Sequence, residues 1–295
     1  MTRRGWVLFG TMCVLWGIPY LLIKVAVEEL SAPVIVLARC GIGALVLLPV
    51  AAHKGYLRPL LPHWRALVAF TALEIAGPWL LLTDAERSLT SSLTGLLVAA
   101  VPMVAAVASL LLGDSDRLDR RRVLGLAVGL AGVAVLLGLD LGGELRAALE
   151  LGAVVLGYGT APLIISRKLS DVPSLGVITA SLGLAALVYV PVAAFAWPDH
   201  APSTRVVASV LALALACTVV AFLVFFALIA EAGPHRALVI TFVNPAVALL
   251  LGIVLLGEPF TAGVAFGFPL VLLGCYLATR EGSTRVAPMP ALAEP

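Results

Sequence analysis

Residues 16–49, WGIPYLLIKVAVEELSAPVIVLARCGIGALVLLP, align without a gap on residues 158–191, YGTAPLIISRKLSDVPSLGVITASLGLAALVYVP. The matched residues include Gly17/Gly159, Leu21/Leu163, Ile23/Ile165, Ala38/Ala180, Gly41/Gly183 and Pro49/Pro191, and the run Ala44-Leu45-Val46 against Ala186-Leu187-Val188. Farther on, Pro102 falls opposite Pro245, and Gly125 and Gly132 fall opposite Gly267 and Gly274. The chain is thus written twice, and that duplication governs the reading of the fold.

Of the 295 residues, 61% are hydrophobic and 12% charged, and mean hydropathy is +1.10. A soluble protein carries about 25% charged residues and cannot hide this much apolar surface. Lipid is the solvent for most of this chain. The net charge of +2 and the scattered basic residues exclude a nucleic-acid-binding patch. Cys13, Cys40, Cys217 and Cys275 all fall inside apolar stretches without metal-ligand spacing, and read as packing residues.

A helix needs about 20 mostly apolar residues to cross the hydrocarbon core. Qualifying stretches centre on 6–27, 32–51, 66–84, 91–112, 122–139, 147–166, 174–197, 205–230, 236–256 and 261–279, which makes ten. Lysines and arginines sort between alternate loops. One set holds Arg3, Arg4, Lys54, Arg58, Arg65, Arg117, Arg120, Arg121, Arg122, Arg167, Lys168, Arg236, Arg280 and Arg285, the other only Arg87, Arg146 and Arg205. That bias places both termini in the cytoplasm. Five helices per half then make the repeat an inverted one, 6–140 against 147–279, with its pseudo-two-fold axis in the membrane plane. Thr2-Arg3-Arg4 before an apolar run superficially matches a signal peptide, but no small-x-small cleavage site follows and the segment reads as an uncleaved first helix. Residues 281–295 are rich in Pro and Ala and read as a disordered cytoplasmic tail.

Two related halves in an apolar chain imply a carrier, since such halves can rock about a site held between them. Trp16-Gly17 with Lys24, Ala38-Arg39, Ala85 before Ser88–Ser92, and Pro102 ahead of Leu-Leu-Gly113-Asp114 form an ordered set. The second half repeats its ending with Pro245, Leu255-Leu256-Gly257-Glu258, Gly267 and Gly274. In this order and spacing the chain resembles the drug/metabolite transporter superfamily, of the type with two EamA domains. The resemblance implies ten helices and secondary transport of small metabolites, often export of amino acids or related compounds. Ser166 and Ser181 stand where the first half has Lys24 and Arg39, so any substrate site is asymmetric.

An ionisable side chain inside a span costs about 2.5–3.5 kcal/mol at mid-membrane and is a functional candidate by default. Lys24, Arg39 and Glu74 are the three that cannot be assigned to a loop or helix end. Glu74 lies roughly 15 Å deep at about 1.5 Å per residue. It is a candidate proton carrier or a seat for a substrate ammonium; its structural reading is an ion pair with Arg39. Arg39 can clamp a carboxylate or phosphate in bidentate fashion, or merely pack as an ion pair. Lys24 is about a turn from a helix end and reads first as a snorkelling side chain.

Trp16, Tyr20, Trp79 and Tyr158 share these helices or the matching repeat helix, and can line an amphipathic pocket or act as membrane aromatics. Gly17-Ile18-Pro19 and Gly77-Pro78 are helix-breaking signals, read either as openings toward a cavity or as simple kinks. Asn244, before Pro245, can bond a ligand or a neighbouring helix. Asn244-Pro245-Ala246 spells one copy of the aquaporin signature, which needs two. The small-residue spacings Gly125-x-x-x-Gly129 and Gly263-x-x-x-Gly267 are expected to close the last two helices of each half together. His53, His63, His200 and His235 lie in loops or at helix ends without a nucleophile or carboxylate at catalytic spacing. No enzyme motif, metal site, phosphate loop or cofactor is indicated.

The expectation is an all-α, multi-pass protein of the inner (plasma) membrane, with lipid and a small-molecule substrate as partners and monomer or homodimer left open. It would work by alternating access, coupled to protons or to exchange. The alternative is a non-transporting sensor or scaffold on the same fold. A continuous aqueous channel needs more polar lining than these helices supply.

Overall fold

The computed structural model describes residues 1–111, 120–138, 145–233, 237 and 239–279. Among these, every regular element is a helix. In chain order the helical rods are α1 (Arg3–Ala26), α2 (Ala32–His53), α3 (Arg58–Ala85), α4 (Ser91–Leu111), α5 (Arg120–Leu137), α6 (Leu145–Lys168), α7 (Ser174–Ala194), α8 (Thr204–Ala232), α9 (Ile240–Leu256) and α10 (Ala262–Thr279). Eight of them are long and apolar enough to cross a membrane. The other two are α9, a shorter apolar helix, and α5, which opens on three consecutive arginines. Gly113-Asp114, His235 and the tail 281–295 lie outside the described residues.

Large apolar side chains face outward: Leu45 is 72% exposed, Leu111 82% and Phe195 94%. Such a surface would aggregate in water, whereas against lipid tails it needs no cover.

Several rods are broken in their interior, each for an identifiable reason. In α1 the helix stops at Gly17 and restarts at Pro19, whose fixed φ and missing N–H suit a first helical position. In α4 the break falls at 99–100, just ahead of Pro102. In α3 the residues Thr71–Ala76 form a π-turn, and Pro78 follows it. Pro78 has no N–H for the Glu74 carbonyl and its ring would crowd that oxygen; the widened turn relieves both. The Gly77-Pro78 signal thus coincides with a π-turn. A second π-turn, Leu215–Val220 in α8, has no proline. There the Thr218 hydroxyl donates to the Leu213 carbonyl at 2.9 Å, inserting a side chain into the ladder.

Helices from the two halves interleave. α2 packs on α7, α5 on α10, α4 on α9, α3 on α6, and α8 on α1. The tightest seam is α5 on α10. A Cβ at Gly125 would sit 2.6 Å from the Ala278 amide nitrogen and 2.8 Å from the Gly274 carbonyl oxygen. One at Gly132 would sit 2.6 Å from the Val271 amide nitrogen and 2.9 Å from the Gly267 oxygen. The glycines of both spacings therefore close α5 against α10, across the halves, and only Gly129 also meets α4 of its own half, at Met103. The reason lies in the duplication: the matched pairs Gly125/Gly132 and Gly267/Gly274 give both helices the same flat stripe, and two like stripes meet face to face.

Candidate functional site

Arg39, near the middle of α2, is 8% exposed. Its guanidinium carbon sits 3.6 Å from the ring centroid of Trp79 on α3, and its Nε donates to the Thr218 hydroxyl in the α8 π-turn at 2.9 Å. A buried cation needs such partners, since aromatic faces and oxygen acceptors replace part of its lost hydration. One side chain thereby ties α2 to both π-turn helices.

Glu74 lies in the other π-turn, half-buried as a residue, and its Oε2 is buried without a hydrogen-bond partner. It makes no ion pair with Arg39, so that structural reading does not hold. The Thr71 hydroxyl on the same turn is also buried and unpartnered, as is the Ser181 hydroxyl on α7, which packs against the turn. The Tyr158 phenol lies within electrostatic reach of both Glu74 and Arg39, and Tyr20 within reach of Arg39 and Tyr158. Gly157 permits the approach of α6, since a Cβ there would collide with the Leu73 carbonyl oxygen. From α7 the Tyr189 hydroxyl donates to the Ala76 carbonyl at 2.9 Å, bracing the π-turn from the far side.

The remaining candidates have partners of their own. Trp16 packs edge-on to Phe222 at 5.9 Å and tilted on Phe225 at 4.8 Å, in an aromatic cluster between α1 and α8. Lys24 is half-buried. It donates to the backbone carbonyls of Glu86 and Leu89 at 2.6 and 2.7 Å, at the turn between α3 and α4. Asn244 ties α9 to α1: in the amide orientation that satisfies both its ends, the nitrogen donates to the Ile240 carbonyl at 3.0 Å and the Cys13 carbonyl at 3.3 Å. Gly17 admits the same contact, as a Cβ there would lie 2.5 Å from Val247. Pro19, Pro78 and Pro245 are buried and Pro102 half-buried, all within helices.

Thr218 and Glu86 were legible only weakly. Thr218 is the fourth residue of its π-turn, as Glu74 is of the other, but a threonine in an apolar helix carries no signal by itself. Glu86 stands among the loop-like polar residues Asp84, Arg87 and Ser88, yet is 0% exposed. Two openings, of about 630 Å³ between the start of α3 and the end of α6 and about 340 Å³ between α2 and the α7–α8 connection, are lined by neither Arg39 nor Glu74.

Among the described residues no group of three or more His, Cys, Asp and Glu side chains is placed to hold a metal ion. The polar groups do not make a nucleophile–base pair either. They offer one cation, one carboxyl and phenols between apolar walls.

Comparison with known proteins identifies the family. The chain is 28% identical over 291 residues, covering 92% of both chains, to the "Uncharacterized inner membrane transporter YedA" of Escherichia coli (strain K12). It is 24% identical over 293 residues to the "Uncharacterized transporter YvbV" of Bacillus subtilis (strain 168), covering 96% of this chain and 94% of that one. A solved crystal structure of a protein with 20% identity shares the fold, with a TM-score of 0.66 over 95% of this chain and 97% of its own. The names attached to these relatives are of transporters rather than enzymes. The EamA-like transporter family matches residues 3–138 and again 147–280, and with both repeats accounted for, this membrane protein belongs to that family.

Proposed function

We propose that the protein is a secondary transporter, and specifically an exporter, of small metabolites such as amino acids or related amphipathic compounds, acting in the inner (plasma) membrane. Ten crossings in two oppositely oriented sets of five, both termini cytoplasmic, fit the distribution of lysine and arginine. The helix pairings support the same reading. Exchanging each helix for the one five places on maps α3 on α6 onto α8 on α1, and leaves α2 on α7, α4 on α9 and α5 on α10 unchanged. The two π-turns fall on exchanged helices, with Glu74 opposite Thr218.

One observation carries the proposal: buried Arg39 bridges the two helices that carry π-turns, with Glu74 and Thr71 in one turn and Thr218 in the other, and such a deformation recurs at functional sites. Alternating access is rocking of the halves about that line. The Arg39 bond to Thr218 uses Nε, which leaves the terminal fork for a substrate carboxylate or phosphate. Glu74 supplies the opposite charge, as the seat of an ammonium or as the proton carrier that couples transport to a gradient.

The test is thermal stabilisation of the detergent-purified protein by amino acids, nucleosides, polyamines and cationic drugs at pH 6 and pH 8. A ligand should raise the unfolding temperature in a pH-dependent way, and Glu74→Gln should remove the pH dependence while the protein stays folded. A stabilising ligand whose effect is unchanged in Glu74→Gln would take Glu74 out of the mechanism.

A further inference from the structure

A second buried carboxyl lies away from the Arg39 group. Glu86 follows the end of α3 and is 0% exposed, and neither of its carboxylate oxygens has a hydrogen-bond partner. An ionised carboxylate so placed is costly unless a cation or several donors meet it. The cation is at hand in Lys24, yet its ammonium turns to the backbone carbonyls of Glu86 and Leu89. In a low-dielectric setting an ionised pair this close would join; a neutral acid leaves the lysine to the carbonyls.

The neighbouring carboxyl behaves in the opposite way. Gly257 ends α9 in the left-handed region, with φ 65°, and turns Glu258 onto the start of α4. Glu258 accepts the Ser91 and Ser92 amides at 2.7 and 2.9 Å and the Ser92 hydroxyl at 2.5 Å. Burial alone would raise its pKa, but these donors prevail and hold it below the usual carboxylate range. For Glu86, burial dominates; Lys24 opposes it, Glu258 adds to it, and the carboxyl sits well above the usual range. Tyr20 of α1 is the other titratable group within reach. Arg87 and Arg146 are engaged by Asp84, at 3.7 and 2.5 Å, and Arg146 also by Glu150 at 2.8 Å. Two adjacent carboxyls with environments that push them apart mark a division between a proton-holding group and a permanently charged one.

We propose that Glu86 is a proton-binding site that keeps this end of the bundle closed. With the proton on, Lys24 clamps the α3–α4 turn to α1. When the carboxyl O–H bond breaks and the proton passes to water, Lys24 leaves the two carbonyls for the carboxylate, the clamp is lost and the end opens. The proposal rests on the transport reading for its purpose, but its test needs no substrate, so the two fail separately.

The test uses the full chain in lipid vesicles, with infrared spectra taken at about pH 5 and about pH 8. Because Glu74 is a second buried carboxyl, the comparison is made in the Glu74→Gln background: that variant should keep a protonated-carboxyl C=O band at pH 8 which is absent from the Glu74→Gln/Glu86→Gln double variant. A Glu74→Gln spectrum without such a band at pH 8, or the same band intact in the double variant, would overturn the proposal. Thermal unfolding gives a second reading. Glu86 is neutral in the fold and ionised in the unfolded chain, so it should make the wild type lose stability as pH rises above the ordinary carboxylate range. Glu86→Gln reproduces the neutral acid; it should fold, and its unfolding temperature should fall less between pH 5 and pH 8. A Glu86→Gln protein that cannot fold at pH 5 would show that the neutral form is not the native one, and would equally overturn it.

Discussion

Arg39 and Lys24 are both cations inside apolar helices, and their surroundings separate their roles. Lys24 meets backbone carbonyls at a turn, which is a tie. Arg39 is stacked on Trp79 and held by one hydroxyl, which fixes its orientation while its fork stays available. Arg39→Ala should raise the transport KM about tenfold or more, the loss expected when a charge-assisted hydrogen bond worth about 1.5–3 kcal/mol is removed. An unaltered KM in substrate-saturation curves would leave Arg39 a structural role only. Thr218→Val keeps the shape but leaves Arg39 Nε without its acceptor, and should cost about 1–3 kcal/mol of stability. The unfolding temperature of the purified variant measures it.

Among the elements, glycine shows how far the repeat can be read. Gly41 and Gly183 are matched as plainly as Gly125 and Gly267, yet a Cβ on either of the first two meets nothing within 4 Å. Gly125→Ala would press on the Ala278 amide and the Gly274 carbonyl, and backbone cannot step aside as a side-chain tip can. That variant should lose about 1–3 kcal/mol by overpacking, whereas Gly41→Ala should be neutral or gain up to about 1 kcal/mol through better helix propensity. Unfolding curves of the two variants side by side check the contrast. The π-turns are a similar case. Pro78 announces a disturbance in α3, but nothing in Leu215–Val220 announces the one in α8, because it arises from a threonine hydroxyl bonding back to the Leu213 carbonyl.

At the scale of the whole molecule the orientation is open to a direct check. The native cysteines are all buried, so a single exposed cysteine is the only reactive thiol expected. In intact cells a membrane-impermeant maleimide should label Arg205→Cys and spare Arg58→Cys; the reverse pattern would invert the topology. Composition and duplication determined by themselves that the chain is helical and lives in lipid, because an apolar span must satisfy its own backbone hydrogen bonds and a repeat is written in the residues themselves; the ordered motifs carried the resemblance to two-EamA-domain transporters. The sequence also nominated Arg39 and Glu74, since charge is costly in such a span wherever it points. Only the tertiary structure decided that the two do not pair, that Arg39 reaches Thr218 instead, that the glycine stripes meet across the halves, and that Glu86 is buried. Those outcomes depend on which faces the interleaved helices turn toward one another, and the order of residues along a single helix does not specify its neighbour's face.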